Sequence, residues 1–215
     1  MPSLAAPRAL DNDEYGAADA VVPPLPLEIA ALIAAGSEIW IFGYGSLMWN
    51  PGFAHNAIEP ALLRGWHRSF CVYSHRYRGT PERPGLVLGL DRGGACRGMA
   101  IRIPPAEAAS AMAYLWEREM VGGVYDLRTA RVATAQGMLT AHAFTVRRAH
   151  PGYAGRLTTD ETARLILQGI GGRGRCREYL ANTVRQLECL GHLDGPLHKL
   201  EERVKELAAQ EPPCP

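Results

Sequence analysis

At 215 residues the chain is long enough for one domain with a sizeable core, or at most two small ones. Hydrophobic residues make up 47% and charged residues 21%, the balance of an ordinary globular protein. With 23 basic residues against 22 acidic ones the net charge is +1, which gives no electrostatic reason to expect a nucleic-acid or anionic-membrane partner.

Residues 1–22 mix alanine, acidic residues and proline without periodicity and are expected to be loosely ordered. After Pro23-Pro24, residues 25–35 suit a short helix with Gly36 as its stop. Extended segments follow at 39–42, at 63–73 around Trp66 and Phe70, at 86–90, and at 96–103 with clear alternation. Pro104-Pro105 opens a helix over 106–116, because a first-turn N–H lacks an intrahelical partner anyway. The chain is extended again at 129–133 and 139–146, and its final third is helical. Thr158-Thr159-Asp160-Glu161 has the T-x-x-E spacing of a capping box, so a helix starts there and runs to Gly169. A glycine-rich hinge, 169–174, separates it from a helix at 175–190. Leu197, Leu200, Val204 and Leu207 form the stripe of a last amphipathic helix, ended by Glu211-Pro212-Pro213. This gives an N-terminal extension (1–37), one main domain (38–208) and a short tail (209–215). Strands with few intervening helices, then a helical end, argue for α+β with a mainly antiparallel sheet.

Cysteine and histidine usage excludes further classes. Cys71, Cys96, Cys176, Cys189 and Cys214 are odd in number, widely spaced and without C-x-x-C, so neither a disulfide framework nor a zinc site is expected. The histidines show no H-E-x-x-H or similar spacing, and no metal is expected. The N-terminus lacks the basic stretch and apolar core of a signal peptide, and no apolar run could span a bilayer. A reducing cytoplasm is the expected compartment. Arg147-Arg148 reads as a solvated strand end.

Two segments carry chemistry. Phe42-Gly43-Tyr44-Gly45-Ser46-Leu47-Met48-Trp49 follows the strand at 39–42 and interrupts it with two glycines. Glycine accepts φ > 0 and close ligand approach, so a turn here can aim several N–H groups into one small space. Such a nest suits a carboxylate or a developing oxyanion; for a lone G-x-G a plain tight turn is the competing reading. The second segment is Tyr114-Leu115-Trp116-Glu117-Arg118-Glu119-Met120, followed by Gly122-Gly123-Val124-Tyr125. Between them lies Arg78-Gly79-Thr80-Pro81 with Pro84-Gly85-Leu86, and Glu178-Tyr179-Leu180 follows a glycine-rich turn near the end. Four pieces in this order resemble the ChaC-type γ-glutamylcyclotransferases, over about residues 39–207.

The resemblance implies a small barrel-like cyclotransferase fold with helices packed around it, and no cofactor. It implies an intramolecular reaction. The α-amino group of a γ-glutamyl substrate attacks its own γ-carbonyl, giving 5-oxoproline and releasing the attached amine. In the ChaC branch the substrate is glutathione and the amine released is Cys-Gly. Proximity supplies much of the rate, and one carboxylate can serve as base and then acid. The R-E position of the motif falls on Glu119. A free glutamate titrates near ~4.3 and an α-amino group near ~8, so the proton transfer is uphill by roughly 5 kcal/mol. Burial beside Met120 would raise the glutamate pKa and shrink that gap. Glu117, two residues away on a helix, points elsewhere and reads as the exposed partner.

By the same resemblance Gly43, Tyr44, Gly45, Ser46 and Leu47 hold the glutamyl group, with Ser46 adding a hydroxyl. Whether they grip the α-carboxylate or the γ-oxyanion stays open. Ser46 is no nucleophile, since the pattern is not G-x-S-x-G. Tyr125 and Tyr179 either donate hydrogen bonds to substrate or satisfy their hydroxyls in the core. Met120 and Val121 precede the glycine pair, so placing Tyr125 on the family tyrosine needs a small insertion. Arg78 either pairs with a carboxylate of the Cys-Gly portion or stays in solvent. Trp49, Trp66 and Trp116 read as packing, and Gly171, Gly172 and Gly174 lack the G-K-[ST] of a phosphate loop. The alternatives are cyclisation of other γ-glutamyl amines or peptides, or a non-enzymatic cation-transport regulator. A binding protein has no need of a proton-transfer group. Oligomeric state is left open.

Overall fold

The computed structural model describes residues 22–120 and 122–210; the first 21 residues, Val121 and the tail from 211, with the expectations placed on them, lie outside it. Leu27–Ala34 forms α1, and Gly36 at φ +62° ends it while the Gly36 and Ser37 N–H groups return to the Ile33 and Leu32 carbonyls. Five strands follow: β1 (Ile39–Gly43), β2 (Ala57–Ser74), β3 (Gly85–Ile103), β4 (Tyr125–Thr134) and β5 (Gly137–Val146). They close a barrel in the order β1-β3-β2-β4-β5. Every pairing is antiparallel except β1 with β5, where Ile41 lies opposite His142.

The segments expected at 86–90 and 96–103 are one strand. Gly93 and Gly94 take φ +104° and +68° opposite Gly65 at +82°, so β2 and β3 shift register between Arg64 and Trp66 and pairing then resumes. Two residues facing one is a bulge, and it bends the ladder without ending it. Ile39, Ile41, Ile101 and Ile103 are buried on one face of the β1–β3 pair, and Phe42, one residue out of phase, is buried on the other.

A 3-10 turn (Pro105–Glu107) leads into α2 (Ala108–Met120), which runs four residues past the expected end at 116. Its buried residues are Ala108, Ala111, Met112, Leu115, Trp116 and Met120, spaced by three and four along one face. Removing a fully buried leucine such as Leu115 would cost about 2–5 kcal/mol. α3 (Thr159–Gln168) starts at the expected capping box, with Thr158 and Glu161 bonded reciprocally. Instead of a hinge, β6 (Ile170–Gly171) and β7 (Gly174–Arg175) form a short hairpin. α4 (Cys176–Cys189) and α5 (Gly195–Gln210) complete the chain, and the four stripe residues of α5 are buried.

The architecture is therefore α+β, a mainly antiparallel small barrel with packed helices, as expected. Arg147 and Arg148 are not simply solvated: Arg147 pairs with Asp126 at 2.8 Å and Arg148 with Asp91 at 2.6 Å. No helix among the described residues is long and apolar enough to cross a membrane.

Candidate functional site

The site is built where β1 stops and β2 and β3 run on. Gly43, the last residue of β1, pairs with Met99, and the neighbouring Gly98 lets the two backbones approach. A Cβ at Gly98 would overlap the Gly43 carbonyl and lie 2.8 Å from the Phe42 ring. The chain then turns through Gly45 into a 3-10 turn, Ser46–Met48, closed by Met48 N–H donating to the Gly45 carbonyl at 2.9 Å. The N–H groups of Gly45, Ser46 and Leu47 find no acceptor among the described residues. The Tyr44 and Leu47 side chains are buried, so what this loop presents outward is main chain and the Ser46 hydroxyl.

Glu119 arrives from the last turn of α2. It follows Met112, Leu115 and Trp116 at spacings of seven, four and three, so the helix delivers it on its buried stripe. Glu117 falls on the far face and is exposed. The Glu119 side chain is 18% exposed and meets Arg118 Nε at 3.1 Å. Burial pushes its carboxyl pKa up, and the Arg118 and Arg173 guanidinium groups hold it back in part. The Glu119 charge is felt at the Tyr44 and Tyr179 hydroxyls, both of which burial already pushes above an ordinary tyrosine.

Arg118, quoted in the motif without a role, ties α2 to the loop. Its Nη2 donates to Ser46 Oγ at 2.7 Å, and Nη1 donates to the Asn50 and Pro51 carbonyls at 3.1 Å each. The planar fork lets one side chain hold several oxygens in fixed directions. Ser46 is therefore positioned by the residue next to Glu119.

Tyr179 comes from the first turn of α4, edge-on to Phe70 with ring centroids 5.7 Å apart. A Cβ at Gly45 would sit 3.5 Å from its hydroxyl. The Tyr125 hydroxyl donates to the Leu88 carbonyl at 2.8 Å, so it braces the strand that floors the site. Arg78 is half-buried, its guanidinium 5.2 Å from the centre of the Tyr179 ring, and Nη1 donates to the Arg175 carbonyl at 3.3 Å. Burial lowers the Arg78 pKa, with Arg173 adding like-charge repulsion.

Arg78 and Arg173 are brought together by backbone contacts that only glycine allows. A Cβ at Gly79 would overlap the Gly85 nitrogen, and one at Gly171 would overlap the Arg76 carbonyl. The hairpin is pinned to the segment that follows β2 by Gly172 N–H to Arg76 O at 2.7 Å and Arg173 N–H to Tyr77 O at 2.9 Å. The Arg173 guanidinium lies 4.2 Å from the centre of the Tyr77 ring. Sequence reasoning missed Arg173 because the glycines around it were read as a hinge. Cys176 is buried beside Arg78, its thiol pushed up to about 11 and donating to Leu86 O at 2.9 Å. Among the described residues no three His, Cys, Asp or Glu side chains converge as metal ligands.

The family model for ChaC-like proteins matches residues 39–207. The glutathione-specific γ-glutamylcyclotransferase of Escherichia coli K12 is 36% identical over 186 residues, covering 85% of this chain and 80% of its own. Glutathione-specific γ-glutamylcyclotransferase 1 of Mus musculus is 34% identical over 158 residues, 71% of each chain. In three dimensions the crystal structure of a glutathione-specific γ-glutamyl cyclotransferase from yeast aligns with a TM-score of 0.72 at 25% identity. That alignment covers 79% of this chain and 96% of the yeast one.

Proposed function

The chain belongs to the ChaC-like protein family, and on that footing we propose that it is a glutathione-specific γ-glutamylcyclotransferase, with residues 38–208 as its catalytic domain. The observation that carries the chemistry is Glu119: a carboxylate shielded on a helix's buried stripe, with raised pKa, linked through Arg118 to Ser46 in a loop of unpartnered N–H groups.

In this reading the loop at 43–47 holds the glutamyl group of glutathione. Glu119 takes a proton from the α-amino group, whose nitrogen then attacks the γ-carbonyl and closes the five-membered ring. The raised pKa of Glu119 narrows the uphill transfer, while Arg118 keeps the carboxylate available as a base. The Gly45, Ser46 and Leu47 N–H groups offer hydrogen bonds to the oxygen that gains charge. Glu119 returns its proton to the leaving nitrogen, the C–N bond breaks, and 5-oxoproline and Cys-Gly separate. The ring nitrogen gives up its second proton to the departing amine, so both protons shed by the α-ammonium end on Cys-Gly and no water is consumed. Arg78 pairs with the carboxylate of the Cys-Gly portion; Tyr179 and Tyr125 line and brace the pocket.

The test is incubation of the purified full-length protein with reduced glutathione, with 5-oxoproline and Cys-Gly quantified together. Equimolar release of both is expected. Turnover of other γ-glutamyl amines in preference to glutathione would move the assignment to a broader cyclotransferase, and no product from any of them would reject the reaction.

A further inference from the structure

Arg68, in the middle of β2, has 2% of its side chain exposed, and every nitrogen of its guanidinium is used. Nε donates to the Tyr44 carbonyl. Nη1 meets Asp194 Oδ2 at 2.8 Å, and Nη2 donates to the Arg97 carbonyl at 2.6 Å with Met48 Sδ at 3.8 Å. The turn after β1, β3 and the start of α5 are thus joined through one side chain. Asp194 is itself anchored, since its Oδ1 accepts from Leu197 N–H at 3.3 Å in the first turn of α5.

A buried ion pair of this kind contributes little net stability, because desolvation offsets the attraction. What it supplies is geometry. In a trans peptide the carbonyl and the following N–H point in opposite directions. Holding the Tyr44 carbonyl therefore aims the Gly45 N–H away from Arg68, and that N–H has no acceptor among the described residues. Gly45 is also the residue whose absent Cβ faces the Tyr179 hydroxyl and Leu88.

We propose that Arg68, held by Asp194, is a positioning residue for the reaction: it fixes the Tyr44–Gly45 peptide plane so that the Gly45 N–H is preset toward the glutamyl oxygen. The activity arm of this proposal rests on the cyclotransferase reading. Arg68 touches no reacting atom; it acts from behind the loop, as Arg118 acts from its front through Ser46.

Arg68→Lys keeps a positive charge opposite Asp194, but an ammonium cannot reproduce the fork that reaches three oxygens. In the folded variant kcat should fall about tenfold or more with KM little changed, the scale of one lost charge-assisted hydrogen bond. Within residues 43–48, exchange of the Met48 amide, which donates to the Gly45 carbonyl, should quicken on the order of tenfold while that of β5 stays as in wild type. Wild-type kcat and exchange in the lysine variant would overturn the proposal, and so would a loss of protection spread evenly over the barrel. If Arg68→Lys does not fold, Asp194→Asn carries the test. Asparagine caps a helix as well as aspartate, so α5 keeps its start while Arg68 loses its countercharge. A smaller loss of kcat with quickened exchange at Met48 is then expected, and unchanged values overturn the idea. Should the wild type release no 5-oxoproline, the reaction assignment fails, yet the exchange comparison still decides whether Arg68 sets the loop.

Discussion

Where β1 closes the barrel, Ile39 lies opposite Ile103 and Ile41 opposite Ile101, and these four buried side chains belong to one apolar cluster. Beyond Gly43 the construction changes. Main chain meets main chain at Gly79 and Gly85 and at Gly171 and Arg76, and arginine forks hold carbonyl oxygens: Arg68 that of Tyr44, Arg118 those of Asn50 and Pro51. The first region is specified by which apolar side chains are present. The second is specified by where side chains are missing and by planar groups that grip backbone. A tightly packed apolar wall holds its shape without help, but it offers a polar substrate nothing to bind. The second region exposes N–H groups and one carboxylate, and it needs tethers to keep them aimed.

The sharpest way to break this contrast is at Glu119. Glu119→Gln is isosteric and should cut kcat by about 10²–10⁴-fold, the usual worth of a general acid–base group. Glu117→Gln, on the exposed face, should leave turnover within about twofold, as surface changes usually do. Equal losses in both would mean that burial on the helix stripe does not select the base.

pH separates the two regions further. Because the Glu119 pKa is raised, kcat/KM should decline with acid at a pH above the range of an ordinary glutamate, as the base becomes protonated. The stability sign runs the same way: a raised folded pKa means the fold favours the protonated carboxyl. That contribution is full below the unfolded glutamate's pKa and is lost as pH rises through the folded one. Glu119→Gln should therefore melt no lower than wild type at neutral pH, with the difference shrinking in acid. Thermal melts across pH measure this, and a clearly less stable glutamine variant at neutral pH would contradict it.

A smaller effect is expected where glycine is the structural device. Gly79→Ala places a Cβ on the Gly85 nitrogen with the Arg83 carbonyl 2.8 Å away, so two backbone segments must part. Overpacking of this sort costs about 1–3 kcal/mol, read by urea unfolding. Because Arg78 is the neighbouring residue, kcat/KM should fall by more than the stability loss alone accounts for. Wild-type stability in this variant would show that the close approach is not what seats Arg78.

The two regions also differ in how much of them could be read from residues alone. Alternation at 96–103, the capping box at Thr158 and the stripe of α5 are local patterns: the first ends with β3 at Ile103, α3 starts one residue after Thr158, and α5 spans all four stripe residues. The strand break expected near Gly93 failed because a bulge opposite Gly65 is a property of the pair, and the partner's register is not written in either strand. The hairpin at Gly171–Gly174 failed for a related reason: its glycines serve contacts with residues nearly a hundred positions earlier, at 76–78. Glu119 did leave a local signal, since Met112, Leu115 and Trp116 extend by helical spacing onto it. Arg68 and Arg173 left none, because their roles depend on carbonyls and rings that only the closed barrel brings near.

The mildest test lies on α3, far from the carboxylate along the chain. Thr158→Ala removes the hydroxyl that accepts from Glu161 N–H at 3.2 Å and leaves that first-turn donor to water. Loss of such a cap costs about 1 kcal/mol, which lowers Tm by about 2–4 °C in a domain of this size. The other end of α3 is Gly169, where a Cβ would overlap the Arg78 carbonyl, so this helix does touch the site at its far terminus. Ten helical residues separate cap from contact, about 15 Å at 1.5 Å per residue. Fraying of the first turn should stop well short of Gly169, because packing against α5 holds the buried Ala163 and Ile166 between them. Tm should therefore fall while kcat/KM at 25 °C stays at the wild-type value. A parallel loss of activity would mean that α3 carries strain from the helical layer into the Arg78 loop, and the boundary between the two regions would have to be redrawn to include it.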